Sequence, residues 1–125
     1  MAGKSYKDLE IYQLSHRLGV DIHHFSLKLP KFELYETGSQ LRRSSKSVTA
    51  NIVEEYGRRR YKAEFIRFLV FSHSSCNEAI EWLEYIKDCH TQMQSQAEPL
   101  IDQLNLLGGK INRFIQAVES RHQAS

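Results

Sequence analysis

The chain has 125 residues, a formal net charge of +2, two cysteines and two prolines. This length sets one domain that buries roughly two-thirds of its unfolded surface, so neither a metal nor a disulfide scaffold is needed to hold a core. With 41% hydrophobic and 26% charged residues, the composition excludes a disordered tail or a fibre, and no apolar run resembles a signal peptide or a membrane span.

Four segments carry helical spacing. In the first, Ile11, Leu14, Leu18, Ile22, Phe25 and Leu29 recur every three or four residues. Ser5 and Asp8 form a candidate capping pair before it, and Pro30 disfavours helix at Leu29 and ends it. The second segment opens at Thr37, with Gln40 three residues on as a capping-box partner. Its apolar line is Leu41, Ser45, Val48, Ile52 and Tyr56. Gly57 closes it, since glycine takes the left-handed conformation without steric cost.

The third segment runs from Tyr61 and lacks a standard cap at its start. From Phe65 to Phe71 only Arg67 is polar. A helix apolar nearly all round for two turns must be covered on more than one side. Phe65, Phe68 and Phe71 are therefore expected at a subunit interface. The fourth segment starts between Ser95 and Pro99. Its residues Leu100, Leu104, Leu107, Ile111, Phe114 and Val118 alternate four and three, a knobs-into-holes seam. Gly108 and Gly109 interrupt it, permitting close helix approach or a bend, and residues 121–125 are expected to fray. No strand alternation appears. The fold class predicted is all-α: one domain, an antiparallel up-and-down four-helix bundle with helices over about 8–29, 37–57, 61–91 and 97–120.

Charge is distributed unevenly. Arg42 to Lys62 holds seven Lys or Arg against two acids, and Cys76 to His90 holds Glu78, Glu81, Glu84 and Asp88 against Lys87. A hairpin of the second and third helices turning near Arg60 pairs residues whose numbers sum to about 121. Arg43 then meets Glu78, Ser47 meets Ser74 or Ser75, and Asn51 comes near Ser72. Asn is a poor mid-helix residue, so Asn51 reads as a buried hydrogen-bonding group that fixes register, with Ser47, Glu54 and Ser75 in its network. Arg42, Lys46, Arg58, Arg59, Arg60 and Lys62 are candidate phosphate ligands, and Tyr56 and Tyr61 candidate platforms for bases. The competing reading is a solvated face in which Glu54–Arg58 and Glu55–Arg59 pair at i,i+4.

Cys76 and Cys89 lie thirteen residues apart on one expected helix, roughly 20 Å, too far to bridge. Free thiols suit a reducing compartment, and the expected location is the cytoplasm. A di-metal bundle site needs two Glu-x-x-His pairs; only Glu119 and His122 have that spacing, and His16, His73 and His90 have no evident partner. No phosphate loop, nucleophile elbow or acid pair occurs. The expectation is a protein with no metal, no cofactor and no catalysis.

Asn51-Ile52-Val53-Glu54 followed by Gly57-Arg58, preceded by Gln40-Leu41-Arg42-Arg43 and Ser47-Val48, resembles the bacterial four helix bundle protein family, also called the 23S rRNA intervening-sequence protein family. Lys7-Asp8-Leu9, Pro30 before Glu33, Phe65 with Phe68-Leu69, and Ser75 before Glu78 extend the resemblance over about residues 6–118. Glu55 departs from it, standing where many members have Gly, as does Arg60, where many have a small capping residue. The resemblance implies an up-and-down bundle assembling as a homopentamer. Some members are encoded within insertions in large-subunit rRNA genes, and a related bundle in diversity-generating retroelements forms a basic pentameric barrel that engages nucleic acid. RNA or DNA binding is the expected activity; a protein-interaction scaffold is the alternative.

Overall fold

The computed structural model describes residues 5–124, with backbone alone for 122–124. The Glu119–His122 pair therefore falls outside the described side chains. After a 3₁₀ turn at Tyr6–Asp8 come α1 (Glu10–Ser26), the single turn α2 (Lys31–Leu34), α3 (Thr37–Gly57), α4 (Lys62–Cys89), a 3₁₀ turn at Thr91–Met93, and α5 (Gln94–Ala124). The four long helices pack in a ring, α1 on α3, α3 on α4, α4 on α5 and α5 back on α1. The short connections make each neighbour antiparallel, which is the up-and-down bundle.

The core is built from the apolar lines of all four helices. Leu18 and Ile22 of α1, Leu41 and Ile52 of α3, Leu69 and Leu83 of α4, and Leu104 and Ile111 of α5 are buried. Each such side chain contributes about 1.5–3 kcal/mol through water exclusion. Small residues on α4 set its distance from its neighbours. Ser72 donates to the Val48 carbonyl of α3 at 2.9 Å, and the Cys76 thiol to the Leu104 carbonyl of α5 at 3.2 Å. Gly108 faces this point: a methyl group there would lie 3.7 Å from Cys76 Sγ. That is an ordinary contact distance, so the packing does not demand the close approach expected of Gly108.

The helix ends differ from expectation in instructive ways. The Ser5–Asp8 capping box forms, but on the 3₁₀ turn before α1. The first helix stops at Ser26, and Pro30 instead leads into α2. Thr37 and Gln40 form no capping box. The Glu33 carboxylate of α2 takes the Thr37 N–H at 3.2 Å, a cap delivered from outside α3. Glu33 also meets His90 Nε2 at 3.1 Å, and both residues are buried. His90 thus has a partner, 57 residues away in the chain. The helix ends at Gly57 without a left-handed residue; Arg58 follows at φ −109°. Pro99 lies inside α5, which begins at Gln94 and continues to Ala124.

Candidate functional site

The α3–α4 register is the one the sum of 121 predicts at its centre. Ser47 Oγ and Ser75 Oγ are 2.9 Å apart. Asn51 Nδ2 donates to the Ser47 carbonyl at 2.9 Å and to Ser47 Oγ at 3.1 Å. These residues form one half-buried network across the helix pair. Three assignments to it need correction. Arg43 and Glu78 are both exposed and form no ion pair; Glu78 accepts from the Trp82 indole at 3.0 Å instead. Glu54 is exposed and pairs with Arg58 at 3.5 Å, outside the network. Long side chains on a wet surface follow local partners rather than register.

The expected basic set divides into three places. Arg42 is not available to a phosphate. Its guanidinium donates to Ser26 Oγ and to the Leu34 carbonyl, both at 2.9 Å, and ties α1 and α2 to α3. Lys46 lies in a groove between α1 and α3 with its ammonium 3.4 Å from His23 Nδ1. That groove of about 570 Å³ includes His16, Gly19, Val20 and Ala50. Desolvation and the Lys46 charge together hold His23 below its ordinary pKa. Arg58 to Tyr61 form the turn between α3 and α4, with Lys62 opening α4, about 18 Å along α3 from Lys46.

At that turn Arg58 is engaged, by Glu54, by Glu64 at 3.9 Å and over the Phe68 ring at 5.1 Å. Arg59 donates to the Tyr56 carbonyl at 2.7 Å and its guanidinium covers the Tyr56 ring at 4.2 Å. Tyr6 meets the same ring edge-on at 6.5 Å. Tyr56 is therefore occupied as a stacking platform, whereas Tyr61 is 65% exposed. Among the described residues no carboxylate lies within ion-pair distance of Arg59, Arg60 or Lys62.

Of the phenylalanines placed at an interface, Phe65 turns inward. It is buried and packs on Phe114 of α5 with ring centroids 6.0 Å apart. Phe68 is half-buried and stands edge-on to Phe71 at 5.8 Å. Phe71 is 42% exposed and Val70 45%. Val70 and Phe71 thus form a small open apolar patch near the start of α4, with the Arg67 guanidinium over the Phe71 ring at 5.5 Å; beyond it the exposed positions Ser74, Asn77, Glu78 and Glu81 are polar.

The residue the sequence reading misplaced most is Glu55. It is fully buried, and neither carboxylate oxygen has a hydrogen-bond partner. The Glu55–Arg59 pair of the solvated-face reading does not form; Arg59 lies on Tyr56. Burial pushes the Glu55 carboxyl up to about 8, against a weaker pull from the Arg59 charge. Glu55 lines a cleft of about 490 Å³ with Leu9, Tyr56, Arg59, Phe65, Phe114 and Arg121. The signal was present: Leu41, Ser45, Val48, Ile52 and Glu55 continue the four-and-three spacing, which puts Glu55 on the core line.

Among the described residues no cluster of His, Cys, Asp and Glu is arranged to hold a metal, and no helix is long and apolar enough to cross a membrane. Cys76 is buried, with its thiol raised to about 11 by burial; Cys89 is exposed.

These features define the class: a small all-α four-helix bundle carrying a cationic helix turn and a small exposed apolar patch at Val70 and Phe71. The chain belongs to the 23S rRNA-intervening sequence protein family, whose model matches residues 7–113. It is also similar to a crystal structure, at 1.70 Å resolution, of a protein of unknown function from the S23 ribosomal protein family of Bacteroides thetaiotaomicron VPI-5482. That match has a TM-score of 0.76 at 21% identity and covers 85% of this chain and 95% of the other. At this identity the likeness is one of fold. No curated protein matches the chain.

Proposed function

We propose that the protein is a non-catalytic, cytoplasmic nucleic-acid-binding module that assembles with copies of itself, as a homopentamer, and contacts the phosphates of RNA or DNA through the α3–α4 turn. The observation that carries this reading is the run Arg59, Arg60 and Lys62, three cations without a carboxylate partner beside the exposed ring of Tyr61. Phosphates need charge and guanidinium forks, and a protruding turn presents both. Tyr61 adds a surface for an unstacked base. Repetition of the turn around a ring raises avidity without new contacts. The open Val70–Phe71 face of α4 supports self-association, because exposed apolar patches mark interfaces.

Filter binding on structured RNA and duplex DNA tests the reading. Retention at low salt is expected to fall with salt at a slope of about −0.7 to −0.9 per phosphate contact. The combined substitution Arg59→Ala, Arg60→Ala and Lys62→Ala is expected to weaken binding at least about tenfold. Absence of retention, or retention that ignores the triple substitution, refutes it. Light scattering is expected to give several times 14.6 kDa; a monomer refutes the assembly.

A further inference from the structure

The buried carboxyl of Glu55 has no role in holding the bundle together. Every other buried side-chain polar atom among the described residues has a hydrogen-bond partner. An orphaned buried polar group costs free energy, and a ligand bound beside it would supply the missing hydrogen bonds. Its surroundings are specific. The cleft of about 490 Å³ falls within the size range of small-ligand sites. Its walls are apolar and aromatic, with Phe65 and Phe114 inclined 39° to each other. The charged residues that line it, Arg59 and Arg121, are both cationic and exposed.

We propose that this cleft receives a single unstacked nucleotide, its base against Phe65 and Phe114, its hydrogen-bonding edge on the Glu55 carboxyl, and its phosphate on Arg59 and Arg121. The proposal deepens the nucleic-acid reading above and rests on it for the polymer context. A cationic ligand is disfavoured by the two arginines. A plain anion leaves the aromatic walls and the carboxyl unused. With a pKa of about 8 the carboxyl is protonated at neutral pH. It then offers one donor and one acceptor side by side. Each of the common bases presents a matching donor–acceptor pair on its edge, so the site separates nucleotide from phosphate more than base from base. The carboxyl has no accessible surface, so the base reaches it when Arg59, exposed and stacked on the Tyr56 ring, swings off that ring to meet the phosphate. Aromatic stacking and the arginine contacts then supply the affinity.

Calorimetric titration of the full chain with the 5′-monophosphates of adenosine, cytidine, guanosine and uridine tests this, with inorganic phosphate as the control. At least one nucleotide is expected to bind about tenfold or more tightly than phosphate. Glu55→Leu is expected to weaken nucleotide binding about tenfold while melting no lower than the wild type. Glu55→Gln, which keeps a donor and an acceptor, is expected to restore most of the affinity. Arg121→Ala is expected to weaken binding of nucleotide. Nucleotides binding no better than phosphate, or a Glu55→Leu protein binding like the wild type, overturn the proposal. The two readings fail separately. RNA retention without mononucleotide binding leaves the cationic turn standing and removes the cleft. Mononucleotide binding that survives Arg60→Ala with Lys62→Ala, in a protein that retains no RNA, keeps the cleft and removes the turn.

Discussion

Replacing Glu55 by Gln is expected to change how stability depends on pH. In the unfolded chain the carboxyl titrates at its ordinary 4.5, and burial in the folded state raises it to about 8. The folded protein holds this proton more tightly than the unfolded one. Its protonation therefore contributes stability in full below about pH 4.5, and that contribution declines as pH rises and is gone above about pH 8. A gap of about 3.5 units at about 1.4 kcal/mol per unit corresponds to ~5 kcal/mol, of which ~4 kcal/mol falls between about pH 5 and about pH 9. That figure is a ceiling for a rigid site. Arg59, leaving the Tyr56 ring to meet the ionised carboxylate, returns part of it. A loss of about 2 kcal/mol or more, relative to Glu55→Gln, is expected over this interval. Urea unfolding of both proteins at one fixed protein concentration measures it, since self-association makes stability concentration-dependent. A wild-type-minus-variant difference that stays flat across the range refutes the buried, unpartnered assignment.

Four further outcomes are expected. Arg42→Ala frees Ser26 Oγ and the Leu34 carbonyl and is expected to cost about 1.5–3 kcal/mol in urea unfolding, with unchanged nucleic-acid retention. Gly38→Ala is expected to destabilise by about 1–3 kcal/mol by the same assay, because its methyl group would lie 3.1 Å from both the Glu33 carbonyl oxygen and Leu29 Cδ1. The Glu33 carboxyl is held below its ordinary 4.5, chiefly by its hydrogen bond to Thr37. Its contribution is present above about pH 4.5 and lost as pH falls through the lowered value, so Glu33→Gln is expected to remove part of the acid sensitivity of thermal melting. Phe71→Asp, on the open face of α4, is expected to lower the mass seen by light scattering while leaving helix content by circular dichroism unchanged.

The helices were legible because three-and-four spacing is a local signal, and each buried line used for it lies against a neighbour in the bundle. The hairpin register was legible for the same reason: Ser47 and Ser75 are half-buried on facing helices and their hydroxyls meet at 2.9 Å. Arg43 and Glu78 satisfied the same arithmetic and failed, because exposed long side chains are not held by packing. Arg42 and Arg43 are adjacent in sequence and opposite in fate. One reaches the Leu34 carbonyl around a corner made by α2, and the existence of that single turn is not visible in periodicity over four residues. Glu55 was misjudged by chemistry rather than by geometry. Its place on the core line was readable, but a carboxylate beside an arginine four residues on reads as an exposed pair. The Glu33–His90 contact joins positions 57 residues apart, and no local pattern announces such a pair.

The polar residues inside this bundle fall into two kinds, and the difference separates architecture from use. Ser72, Ser47 with Ser75, Asn51, and Glu33 with His90 each find partners within the fold. Removing one partner of such a pair leaves the other unsatisfied, so selection for folding alone retains them. Glu55 has no partner to abandon. A leucine or methionine at that point of the core line removes a desolvation cost and loses no hydrogen bond, so folding gives the carboxyl no advantage there. It lies at the same end of the molecule as the cationic turn, beneath a cleft lined by two exposed arginines. A group that folding disfavours and that sits beside surface charge is where binding chemistry is to be sought.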